Sequence, residues 1–125
     1  MEFIDIYDNL GQKSGKIEEK DEAHRKVLIH RGVCVWIMNS KREILLQTRS
    51  SHVMFPDMLD ISFSGHIQAG ETPLEAVRRE GCEELGIDID ASKLQYLFPA
   101  GSAVRLTDIL RMRSTTCFFI EQIFL

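Results

Sequence analysis

Glu80, Glu83 and Glu84 stand at i, i+3 and i+4 in the run Arg78-Arg79-Glu80-Gly81-Cys82-Glu83-Glu84. On a helix that spacing stacks three carboxylates on one face. Like charges so placed repel, and the arrangement costs stability unless something positive lies among them. A hard divalent cation answers that need, because Mg2+ takes oxygen ligands and is usually held by a few carboxylates plus substrate phosphates. The plainer alternative is a solvated helix surface on which Arg78 and Arg79 pair with the acids. The flanking residues supply the helix itself. Thr72 suits the N-cap, Pro73 the first helical position, and Glu75 completes a Thr-x-x-Glu capping box. Gly86 stands where a left-handed residue commonly ends a helix. Residues 65–71 then read as the loop that leads into it.

The surrounding chain must position this helix. Residues 3–7 alternate apolar and acidic side chains and suit a short strand, with a turn at 8–11. Residues 13–25 are strongly charged with little apolar period, which leaves a solvated loop or a short exposed helix. Residues 27–38 are β-branched and aromatic and read as a buried strand, bent at Gly32. A turn at 39–42 returns the chain through 43–49 as the second arm of a hairpin. After a loop at 50–57, residues 59–64 alternate strictly and feed the loop at Gly65. Beyond the helix, 94–98 reads as a strand, 101–113 is undecided, and 116–125 reads as a final apolar strand. Strands with one strong helix between them give an α+β chain, an α/β/α sandwich around a mixed β-sheet. An apolar strand at the end of the sequence leaves an edge to be covered by a second copy in a homodimer, or by a missing C-terminal segment.

At 125 residues the chain suits one domain. Its 44% apolar and 27% charged composition is ordinary for a globular protein. A net charge of −4 argues against a nucleic-acid polymer as partner. The cysteines, Cys34, Cys82 and Cys117, form no CxxC pair and read as buried or inert thiols of a reducing compartment. With no apolar run near 18 residues and no basic leader, neither a membrane span nor a signal peptide is expected, and the expected location is cytoplasmic. Gly81, in mid-helix, suggests close packing of that helix against a strand.

The pattern Gly65-x5-Glu71-x7-Arg79-Glu80-Gly81-x-Glu83-Glu84-x-Gly86-Ile87 resembles the Nudix box at its fixed positions. It departs only at Gly81, where the family pattern wants a bulky apolar residue. The resemblance implies roles position by position. Glu80, Glu83 and Glu84 match the divalent-cation ligands, and one of them, or a water they hold, matches the base. Arg79 matches the residue that orients Glu80, and Glu71 the acid that pairs with that arginine. Gly65 matches the glycine whose carbonyl helps bind metal. The implied activity is Mg2+-dependent (or Mn2+-dependent) hydrolysis of a nucleoside diphosphate derivative or related small organic diphosphate. A non-catalytic module that binds a diphosphate ligand is a further alternative.

A narrower resemblance, to isopentenyl-diphosphate isomerase, runs through Ala23-His24, Leu28-Ile29-His30-Arg31, Leu45-Leu46-Gln47-Thr48-Arg49 and Ser64-Gly65-His66-Ile67-Gln68. It implies that His24, His30 and His66 are metal-binding positions and that Arg49 and His66 meet the substrate. Two departures oppose isomerase chemistry. Ser64 stands where that enzyme has its catalytic cysteine, and Arg113-Ser114-Thr115-Thr116 stands where a glutamate pair would precede the late strand. The hydrolase glutamates are all present, and the hydrolase expectation is the stronger.

Overall fold

The computed structural model describes residues 1–53, 55–101 and 113–121, those after Gln95 by backbone only. Its elements are β1 (Phe3–Tyr7), β2 (Lys13–Glu19), α1 (Lys20–Arg25), β3 (His30–Met38), β4 (Gln47–Thr48), β5 (Leu59–Asp60), β6 (Phe63–His66), α2 (Pro73–Leu85), β7 (Leu94–Gly101) and β8 (Arg113–Glu121). A four-stranded sheet in the order β6-β3-β8-β7 forms the frame. β3 runs antiparallel to β6 and parallel to β8, and β7 antiparallel to β8, so the sheet is mixed and the chain α+β as expected.

Alternation along β3 divides its two faces. Val33, Val35 and Ile37 join Phe63 of β6, Ala76 and Val77 of α2, and Ile89 in one buried core. Burying each such side chain contributes about 1.5–3 kcal/mol, which fixes α2 against the β3–β6 half of the sheet. Cys34, Trp36 and Met38 fall on the opposite face and stay partly exposed. A smaller core of Ile4, Ile6 and Ala23 seats β1 and α1 beside it.

Several local expectations change. The charged stretch 13–25 is a strand followed by a helix. β2 pairs with β1 as an antiparallel hairpin, and most of its side chains lie in solvent, so no apolar period is needed. Residues 27–29 precede β3 instead of opening it, because Val27 turns into the left-handed region at φ 55° and Leu28 donates back to Ala23. Gly32 stays in register with both neighbours of β3, and its need for glycine is a close approach instead of a bend. A Cβ there would lie 2.6 Å from the Gly65 carbonyl oxygen. The arm at 43–49 leaves β3 after a single bridge and pairs at Gln47–Thr48 with β5. The stretch 59–64 is two strands, parted where buried Ser62 donates its hydroxyl to the Leu45 carbonyl and accepts the Ile37 amide. Strand β8 starts earlier than expected, at Arg113, while the undecided 102–112 and the tail after Glu121 lie outside the described residues. Cys82, expected to be buried, is exposed on α2. Among the described residues, no helix is long and apolar enough to cross a membrane.

Candidate functional site

Helix α2 begins and ends as its sequence dictates. Thr72 caps it with both halves of the capping box formed, Pro73 opens it, and Gly86 closes it at φ 68°. Gly81 lets the helix approach its neighbours, since a Cβ there would meet Ile89 at 2.9 Å and Phe63 at 3.3 Å. That contact seats the stretch of helix that carries Glu80 just before Gly81 and Glu83 and Glu84 just after it.

Arg79 gathers the site. Its Nε and one terminal nitrogen donate to the two Glu71 oxygens at 2.9 and 3.0 Å, a bidentate pair. That same terminal nitrogen donates to the His66 carbonyl at 2.8 Å, and the other donates to Glu80 Oε1 at 2.7 Å. A longer contact of 3.4 Å reaches Glu83. Glu71 also accepts the Gln68 amide at 2.9 Å, which closes the loop before the helix. Hydrogen bonds donated to Glu71, then to Glu80, hold the guanidinium charged well above its ordinary value. Arg79 thus joins loop, strand β6 and helix in one polar network, beyond the simple helix-surface pair with Glu83.

Glu80 is 8% exposed and points toward β6. Gly65 makes room for it, because a Cβ at Gly65 would fall 2.0 Å from the Glu80 carboxyl carbon. The Gly65 carbonyl oxygen lies against Gly32 of β3. Desolvation by burial pushes the Glu80 carboxyl up, against the pull of Arg79. Glu84 is exposed as a residue, yet its carboxyl is also pushed up, first by desolvation, while its bond from Gln47 Nε2 at 2.9 Å opposes the shift. Glu83 is exposed as well, its side chain 58% accessible. All three glutamates, with Gly65, His66, Arg79 and Arg49, line an open cleft of about 1120 Å3.

Arg49 pairs with Asp60 across β4 and β5. Asp60 raises the Glu84 carboxyl further by its charge, so it belongs to the acidic wall. Neither Asp60 nor Gln47 stood out in the sequence. Their link to the helix spans 24 and 37 residues, and only the β4–β5 pairing that creates it could have signalled them.

His24, His30 and His66 converge beside the cleft, with one ring nitrogen of each within 4.8 Å of the others. Their ring centroids are 5.0–5.3 Å apart, and the His24 and His66 Nε2 atoms are 3.0 Å apart. His30 is fully buried, and its Nδ1 faces the Leu28 carbonyl at 2.9 Å. A carbonyl only accepts, so that nitrogen carries the proton and the lone pair of the neutral ring is on Nε2.

Two donor sets therefore suit metal. The carboxylates Glu80, Glu83 and Glu84 fit a hard divalent ion, and the glycine cradle at Gly65 keeps the innermost of them in place. The three imidazoles fit a softer transition ion.

The chain resembles known proteins along most of its length. It is 37% identical over 99 residues to Nudix hydrolase 3 of Arabidopsis thaliana, covering 78% of this chain and 13% of that protein. It is 31% identical over 94 residues to an isopentenyl-diphosphate Delta-isomerase of Rhizobium rhizogenes, covering 74% of this chain and 45% of that one. The crystal structure of DR0079 from Deinococcus radiodurans superposes with a TM-score of 0.74 at 30% identity, over 99% of this chain and 74% of that one. The chain thus spans only part of the length of these curated relatives. The NUDIX domain model matches residues 28–119, which include the mixed sheet, the cleft-lining glutamates and the Arg79 network. On that match the chain belongs to the Nudix family.

Proposed function

We propose that this chain hydrolyses the diphosphate linkage of a nucleoside diphosphate derivative or related small organic diphosphate, with Mg2+ or Mn2+ held by Glu80, Glu83 and Glu84. The observation that carries the reading is the Glu71–Arg79–Glu80 network, which aims a buried carboxylate into a cleft next to two more. The ion, when bound, would neutralise charge on the diphosphate oxygens and activate a water for attack at phosphorus. The chain's own residues do the rest. Arg79 fixes the rotamer of Glu80, and Glu71 fixes Arg79. The innermost carboxylate is short of solvent, and burial pushes its proton affinity up. Arg49 and His66, which line the same cleft as the acids, contribute contacts to the substrate.

The test is substitution of the two outer ligands. Glu83→Gln and Glu84→Gln remove most hydrolysis of a responsive diphosphate while circular dichroism and the melting curve stay those of the parent. Unchanged turnover in both variants refutes the assignment.

A second reading, isomerisation of isopentenyl diphosphate, is favoured by one observation, the convergence of His24, His30 and His66. Ser64 opposes it, being a far weaker acid and nucleophile than a cysteine at neutral pH. Incubation with isopentenyl diphosphate and Mg2+ decides, since absence of an allylic product removes this reading.

A further inference from the structure

The cleft is lined unevenly. Toward α2 its wall is carboxylate and guanidinium, while the loop between β4 and β5 offers Val53 and Phe55, 46% and 52% exposed. Neither belongs to a buried core among the described residues. The loop is nonetheless fixed at its base. Arg49 donates its amide to Met58 at 2.9 Å and accepts the Asp57 amide at 3.1 Å, and its side chain pairs with Asp60. Phe55 lies at φ 56° and Asp57 at φ 59°, a region that non-glycine residues enter at a cost of about 1–2 kcal/mol each. An aromatic ring is thereby kept half in water on the rim of the cleft, where Val53 and Ile61 add to the apolar lining.

A bare diphosphate has no use for such a rim, since phosphate oxygens gain nothing from an apolar wall. Ligand pockets instead pair a few placed polar groups with apolar and aromatic walls that take the rest of the ligand. We propose that Val53 and Phe55 are specificity residues, and that they receive an apolar part of the organic group attached to the diphosphate. Resting on the hydrolase reading, this makes the substrate class a diphosphate bearing a planar base or a hydrocarbon, in preference to inorganic pyrophosphate. The base of the loop ties the rim to the acidic wall. Arg49 starts the loop and pairs with Asp60, while Gln47, two residues earlier, donates to Glu84 at 2.9 Å. The rim and the acidic wall thus meet at the same pair of short strands.

The experiment compares the parent chain, Phe55→Ser and Val53→Ser on three probes with Mg2+: inorganic pyrophosphate, ADP-ribose and a branched alkyl diphosphate. The expected result is that the parent prefers an organic probe. For that probe, KM rises about 10-fold in Phe55→Ser, a loss of about 1.4 kcal/mol, while kcat stays within about two-fold. Values for pyrophosphate do not change. The organic probe that responds distinguishes a base from a hydrocarbon. Equal use of all three probes by the parent overturns the proposal, as does an unchanged KM in both variants. A change in solution mass in Phe55→Ser with KM unchanged also overturns it, because the rim is then a contact between copies. If the parent turns over none of the probes, the hydrolase reading fails separately. Calorimetric binding of the same probes then judges the rim: weaker organic binding in Phe55→Ser supports it, and equal binding overturns it.

Discussion

At the scale of the residue, the site depends as much on what is missing as on what is charged. Gly65 has no side chain, and that absence is where Glu80 sits. Gly65→Ala is expected to drive Glu80 from its position and to cost about 1–3 kcal/mol of stability, as overpacking commonly does. Thermal melting and a hydrolysis assay on the same sample check both losses, and an active, equally stable variant contradicts them. Arg79→Lys keeps the charge and loses the planar fork that grips Glu71 on two atoms. Activity should fall about 10–100-fold, the usual penalty for removing a group that orients a ligand. The fall should appear in kcat, with circular dichroism unchanged. Glu80 was legible from its helical spacing to Glu83 and Glu84, and Glu71, Arg79 and Gly65 through the resemblance to the Nudix box, whose positions lie along one loop and one helix. Asp60 and Gln47 were not, because they meet Glu84 only after two short strands pair.

At the scale of the element, α2 is the part the sequence described best. Its cap, capping box, first-turn proline and left-handed end all formed as read, since each is a local interaction within a few residues. Thr72→Ala is expected to cost about 1 kcal/mol of stability, measured by urea unfolding, with little effect on the distant end of the helix. The box also titrates. Bonds from the Thr72 amide and hydroxyl hold the Glu75 carboxyl below its ordinary value. Its contribution is therefore complete above the usual carboxylate range and is lost as pH falls through the lowered value. Urea midpoints of the parent and Glu75→Gln should converge in that acidic window. The strands were read less well. β2 is nearly all polar and joins a hairpin through its backbone alone, so no hydrophobic period announced it. The break between β5 and β6 depends on one hydroxyl, Ser62, bonded to two segments 17 and 25 residues away. Neither bond can be seen in a local pattern.

At the scale of the whole molecule, the acidic wall couples folding to pH. Burial raises the Glu80 and Glu84 carboxyls in the folded chain above the ordinary carboxylate value. A raised acid binds more protons folded than unfolded, so its contribution to stability falls as pH climbs from the ordinary value through the raised one. In chelator-treated protein, the melting temperature should therefore drop across that window in the parent and drop less in Glu80→Gln. Adding Mg2+ at neutral pH should recover it, because a ligand that binds only the folded chain stabilises it. An identical pH slope in parent and Glu80→Gln would falsify this account. The expected mixed sheet held at this scale because β-branched runs mark central strands however their ends are misjudged.

His66 has a place in two polar groups at once. Its carbonyl anchors Arg79, and its ring stands with His24 and His30. One residue is thus shared by a carboxylate cluster and an imidazole cluster, the first through its backbone and the second through its side chain. Rotation about the side-chain torsions moves the ring and leaves the oxygen that Arg79 holds in place. A substitution that removes the imidazole therefore opens the histidine cluster while keeping the acceptor of the arginine, so the two groups can be separated by experiment at a single position.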